Sequence, residues 1–320
     1  MTAHISAGSV HEQAVAQQLV VGRIILDDLT TTCTASQQSI LSEAVESAHQ
    51  LTDACQGFAG DDPSFEAYFG TGYGGAVFGK RFGLAASNLQ KAGAVLQVGS
   101  SDTPVARLQC GNTTECPDGG QAMMRTSSGT EGVGIITVCP FAFETGNRTP
   151  NLKHISDLVA VNPSTSDLES LRSWEYVLLH EIMHLDNVGY TTPFDTSQVT
   201  TFRSAMDCPS HIGDARAVIA GAPPDPAPPG AQADGLTSIY GPTFSKLYAT
   251  NNSPPNSKKP PTLALVKADT YALFAASRFF SQSFGRVVTR RDVSEDPTDQ
   301  IDFDTGQDLT DPDFACNNIS

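Results

Sequence analysis

Three residues in one short stretch are of the types and at the spacing to do chemistry together. They are His180, Glu181 and His184, the pattern His-Glu-x-x-His inside Leu178–Val188. On a helix, a separation of four puts the two imidazoles one turn apart on one face. Each then offers a nitrogen to one tetrahedral Zn2+, and the intervening glutamate is directed at the coordination position left for water. The chemistry expected is zinc-assisted hydrolysis, with Glu181 as general base. The flanks suit a buried helix, since Trp174, Val177, Leu178, Ile182, Met183 and Leu185 are apolar. An ordinary core helix would explain the apolar flanks. It would not explain two imidazoles and a carboxylate buried together, which is costly without a metal to hold them.

A catalytic zinc needs a third protein ligand. The longer pattern HExxHxxGxxH is excluded, because Asn187 stands at its glycine and Tyr190 at its third histidine. A downstream glutamate is excluded as well, since none occurs between Glu181 and Glu295. His211 and the aspartates remain. Asp186, two residues past His184, points away around the helix and suits orienting a histidine. Asp225 lies in a proline run where nothing holds it. Asp214, opening a strand candidate, and Asp234, shortly before Tyr240-Gly241, are both credible, so three residues stay open.

The elements that must position these groups follow from periodicity. Leu19–Leu26 reads as a buried strand or the end of a propeptide-like segment, and Ser36–Ala54 as an amphipathic helix capped by Thr34 or Ser36. Phe65–Phe78 reads as a loop with a short helix and Phe82–Leu96 as a second long helix. Val105–Cys110 and Gly134–Cys139 read as strands separated by a Gly- and Ser-rich hairpin region. The metal helix is expected over Leu168–Val188, opened by Ser164, Thr165 or Ser166. Asp214–Ile219 is a short strand candidate ahead of the proline run at 223–230, Thr243–Thr250 is a helix candidate, and Ala268–Phe280 is a last strong helix.

Net charge is −16 over 320 residues. That argues against nucleic acid and anionic membrane as partners, which need clustered Lys and Arg. No apolar run approaches the length of a membrane span. The seven cysteines form no CxxC pair, which argues against a zinc knuckle, and their odd number leaves one thiol over if the rest pair. Cys33 and Cys55 bracket a helix too long for them to join. Four sequons begin at Asn112, Asn147, Asn251 and Asn318. With the dispersed cysteines they point to a secreted glycoprotein with disulfide bonds, although no signal peptide is visible. From Arg291 to Ser320 there are nine acids against one arginine, the composition of a solvated tail. Asp302–Asp308 has only a faint calcium-loop spacing.

His180-Glu181-Ile182-Met183-His184, Tyr240-Gly241 and the run Ala268-Asp269-Thr270-Tyr271-Ala272-Leu273-Phe274-Ala275 resemble the deuterolysin-like zinc metallopeptidases, the aspzincins. Ile135–Phe141 is similar to their strand-Cys-Pro-Phe segment, and the likeness spans roughly residues 30 to 283. It departs at the family motif GTxxDxxYG: Thr237 stands where the aspartate would, and no Gly-Thr pair precedes it. The stretch Ile212–Arg216 followed by Tyr240-Gly241-Pro242 looks more like divergent fungal members, which places Asp214 first as third ligand, ahead of Asp234 and His211. The resemblance implies an α+β, zincin-like fold, mostly helical with a small sheet and a central HExxH helix. It implies one Zn2+ on His180, His184 and Asp214, with Tyr240 donating to the oxyanion. Asp269 would then orient a ligand or cap its helix. The implied protein is a secreted endopeptidase acting on protein or peptide substrates, expected as a monomer. A binding protein on the same fold that has lost turnover is the alternative. The domain expectation is an extension over 1–29, the peptidase domain over 30–285 and the acidic tail over 286–320.

Overall fold

Strand pairing begins earlier in the chain than the expected domain does. The computed structural model describes residues 23–26, 28–59, 61–69, 76–97, 104–112, 114–116, 123–129, 133–145, 150–165, 167–185, 187–189, 212, 216–218, 236–238 and 268–289. Strand β1 (Arg23–Ile25) pairs in parallel with β2 (Pro104–Cys110), so the sheet starts inside the stretch set aside as an extension. β2 pairs in parallel with β4 (Gly134–Val138), and β3 (Met124–Ser128) closes the sheet antiparallel to β4. The order is β1-β2-β4-β3, a mixed sheet in an α+β fold. Parallel neighbours require a crossover, and helices fill the one between β1 and β2. These are α1 (Leu29–Thr32), α2 (Ala35–Asp53), α3 (Pro63–Phe69) and α4 (Ala76–Leu96).

The strand β3 was not expected from the sequence. Its residues Met-Arg-Thr-Ser-Ser carry little apolar signal because it is a half-exposed edge, held by its hairpin with β4 rather than by burial. Helix α5 (Ile155–Val161) was missed for being only seven residues long. A second ladder, β5 (Arg216–Val218) with β6 (Leu236–Ser238), is antiparallel. β5 falls within the expected Asp214–Ile219 strand.

Helix α2 starts where its sequence says it should. Thr34 accepts from the Gln37 amide while the Gln37 side chain accepts from the Thr34 amide, a reciprocal cap. Its apolar stripe, Leu41, Ala44, Val45, Ala48 and Leu51, is buried. Gly57 ends the segment with φ 64°, a conformation glycine adopts without strain.

The helix that carries HExxH is shorter than its periodicity suggests. Leu168–Ser170 is one 3-10 turn, and α6 runs Trp174–Met183. The chain is extended between them because Ser173 bridges to Lys153, with the Trp174 amide donating to the Lys153 carbonyl at 3.0 Å. Ser173, not Ser164–Ser166, is the cap, accepting from the Tyr176 amide at 3.1 Å. A tertiary pairing therefore overrode a local helical pattern.

Helix α7 (Ala268–Phe284) packs on α6 and α3. Phe58, Phe65 and Phe69 meet Tyr271 and Phe274 with ring centroids 4.8–5.6 Å apart, mostly edge to face. Burying such rings contributes roughly 1.5–3 kcal/mol each, so α7 is firmly seated. Past α7, Val288 is buried and Thr289 bridges to Asp167, so packing continues beyond the expected boundary at 285.

Two disulfides join Cys33 to Cys110 and Cys116 to Cys139, and Cys55 is a buried free thiol. The disulfides fit an oxidising compartment and are compatible with an extracellular protein. No described helix is long and apolar enough to cross a membrane.

Candidate metal centre

Helix α6 buries almost its whole surface, and its polar residues are what need explaining. His180 and Glu181 are buried, and His184 is half-buried at the helix C-cap. His184 keeps helical dihedrals (φ −79°, ψ −13°), so the four-residue relation to His180 survives the end of the helix.

The two imidazoles converge. Their Nε2 atoms are 3.2 Å apart, with ring planes inclined at 74°. The other nitrogen of each ring meets an acceptor. His184 Nδ1 lies 2.9 Å from the Ile212 carbonyl oxygen, which can only accept, so Nδ1 carries the proton. His180 Nδ1 lies 3.4 Å from Asp269 Oδ1, a longer ionic contact that favours a proton there too. In the neutral ring both Nε2 atoms then present lone pairs to each other. Two lone pairs at that distance repel unless a proton or a metal ion stands between them. Two nitrogens about 2.0–2.1 Å from a tetrahedral zinc would be about 3.3 Å apart, so the observed separation fits the ion.

Asp269 is fully buried and also accepts from the Tyr176 hydroxyl. Tyr176 precedes His180 by one turn of α6, so hydroxyl, carboxylate and imidazole form a chain linking α6 to α7. Asp269 therefore contacts His180 and also stands in the first turn of α7, so the structure keeps both roles that the sequence left open for it.

Glu181 is held from the sheet. The Thr126 hydroxyl on β3 lies 2.8 Å from Glu181 Oε2 and 3.0 Å from the Glu181 carbonyl oxygen. An edge strand thereby fixes the rotamer of the expected base.

The turn after α6 completes the arrangement. The amides of Val188 and Gly189 donate back to Leu185, and the Ile212 amide donates to the Gly189 carbonyl at 3.3 Å. A Cβ on Gly189 would lie 1.7 Å from the Met183 carbonyl oxygen and 3.1 Å from Ile212 Cβ, so only glycine lets the chain pass there. On the sheet side, a Cβ on Gly134 would lie 2.3 Å from Leu185 Cδ2, which brings β4 directly beneath the turn.

Among the described residues, no group of three His, Cys, Asp or Glu side chains is placed to hold a metal ion. The third-ligand candidates Asp214, Asp234 and His211 lie outside the described residues, as do Asp186 and the expected oxyanion donor Tyr240. Sequence reasoning missed Tyr176, Thr126, Gly189 and the Ile212 carbonyl. Of these only Tyr176 carried a signal, its four-residue spacing from His180. Compared with protein-family models, curated proteins and solved structures, the chain shows no match.

Proposed function

We propose that the chain is a zinc-dependent endopeptidase, of the deuterolysin-like kind its motifs resemble, working outside the cell. His180 and His184 hold one Zn2+, Asp214 completes the ligand set, Glu181 is the general base and Tyr240 donates to the oxyanion. The observation that carries this reading is the 3.2 Å approach of two Nε2 atoms whose ring partners fix the protons on Nδ1. Zinc bound there supplies a Lewis acid and lowers the pKa of its water towards neutrality.

The remaining chemistry falls to side chains. Asp269 and the Ile212 carbonyl hold the two rings in one tautomer and orientation. Thr126 holds one oxygen of Glu181, and the carboxylate takes the proton of the attacking water and returns it to the leaving amine. Ile212 supports Asp214 or His211 over Asp234, because those two lie within two residues of the carbonyl that touches His184. A peptide substrate is supported by β3. Among the described strands it is the edge of the sheet beside Glu181, and an extended chain pairs with such an edge through its backbone.

The test is zinc content by mass spectrometry together with cleavage of casein. One zinc per chain is expected, with activity falling about 10²- to 10⁴-fold in Glu181→Gln while the zinc stays bound. Zinc bound without cleavage of any denatured protein would favour the alternative, a metal-binding protein without turnover. Absence of zinc binding would overturn both.

A further inference from the structure

A second polar cluster sits at the opposite end of α6, away from the histidines. Glu175, in the first turn, is fully buried, and among the described residues no lysine or arginine is one of its hydrogen-bond partners. Its carboxylate accepts from Ser47 Oγ of α2 at 2.8 Å, from the Ile155 amide at 3.1 Å, and faces His154 Nδ1 at 2.9 Å. His154 Nε2 faces the half-exposed carboxylate of Glu43, again on α2, at 3.6 Å. Both ring nitrogens thus face carboxylate oxygens, Nδ1 within hydrogen-bond distance and Nε2 at a longer ionic contact. Burying a carboxylate without such partners would be prohibitive.

The contacts have a direction. The Ile155 amide is the first of the donors that α5 leaves unpaired, and His154, its N-cap, makes no side-chain cap of its own. Glu175 therefore caps α5 from another helix while α2 grips the same carboxylate. At 100° per residue, Glu175 lies about 140° around α6 from His180 and about 180° from His184. The helix is held by its back while its front carries the imidazoles. The neighbouring residue Tyr176 leads through Asp269 to His180.

We propose that Glu175 and His154 are positioning residues that set the rotation of α6 about its axis, and through it the approach of the two Nε2 atoms. The link to metal binding rests on the zinc reading of that site. The anchoring itself does not.

The experiment compares the full-length wild type with Glu175→Gln and the milder Ser47→Ala by hydrogen–deuterium exchange and by zinc titration against a chelator. In Glu175→Gln, amides over 177–184 are expected to exchange about tenfold faster while those of α7 over 270–276 do not change. Zinc affinity is expected to fall about tenfold in protein that is still folded, which a merely stabilising contact would not cause. Ser47→Ala should show the same pattern at smaller size, and it decides the matter if Glu175→Gln does not fold. Exchange that is unchanged in α6, or faster uniformly over the chain, overturns the proposal. So does unaltered zinc affinity in a wild type that binds zinc. If the wild type takes up no zinc, the zinc reading falls by itself. The exchange pattern then decides: acceleration confined to α6 supports the anchor, and its absence overturns it.

Discussion

Replacing Gly189 by alanine tests whether the turn after the HExxH helix sets the proposed site. The added methyl would meet the Met183 carbonyl oxygen at 1.7 Å and the Met183 carbonyl carbon at 2.9 Å. Real Cβ contacts are essentially never under 3.0 Å, so the turn has to open by about 1.3 Å. The obstacle is backbone, so no change of rotamer relieves it. Overpacking of this kind costs about 2 kcal/mol, for a domain of this size a fall in Tm of roughly 3–4 °C. The displaced turn takes with it the pairing of Ile212 to Gly189, and with that the carbonyl 2.9 Å from His184 Nδ1. Losing a partner that orients a metal-binding histidine lowers zinc affinity roughly 10- to 100-fold. Differential scanning calorimetry of the zinc-free chain and chelator competition read the two effects separately. A Gly189→Ala protein with the wild-type Tm and the wild-type zinc affinity would refute the claim that this turn delivers Ile212 to the site.

Three further outcomes are expected. Asp269→Asn keeps an acceptor for Tyr176 but removes the charge beside His180, and should weaken zinc about tenfold in chelator competition while the fold persists by circular dichroism. Thr126→Val deletes the hydroxyl that holds Glu181 Oε2, and should lower kcat/KM on casein about tenfold with zinc content unchanged. Burial holds the Cys55 thiol far above its ordinary pKa of 9.0. A raised folded-state pKa gives stability that is complete below pH 9.0 and is lost as pH rises further. Urea unfolding between pH 9 and 11 should therefore show wild type losing up to about 1.4 kcal/mol per pH unit more than Cys55→Ala.

What the sequence revealed follows the range of the forces involved. The cap at Thr34, one of two offered, the apolar stripe of α2, the strands β2 and β4 and the helix α7 are written in spacings of two to four residues, and all are found. The HExxH spacing likewise foretold that His180 and His184 share a face. The start of α6 was misplaced because Ser173 is drawn into a pairing with Lys153, twenty residues away, which no local pattern encodes. The groups that hold the site, Thr126, Ile212 and Asp269, come from three separate segments, and only packing brings them together. Asp269 stood out by its motif, whereas Thr126 sits in a strand with almost no apolar signature.

Helix α6 ends at the histidines, and its direction has a consequence of its own. His180 lies in the last turn and His184 at the C-cap, where carbonyl groups without intrahelical partners gather about half a negative charge. That diffuse charge favours any cation arriving between the rings, before a carboxylate joins in. The helix terminus is thus a built-in counter-ion, and because it is largely buried with the rings, its pull is screened by salt far less than that of an exposed charge.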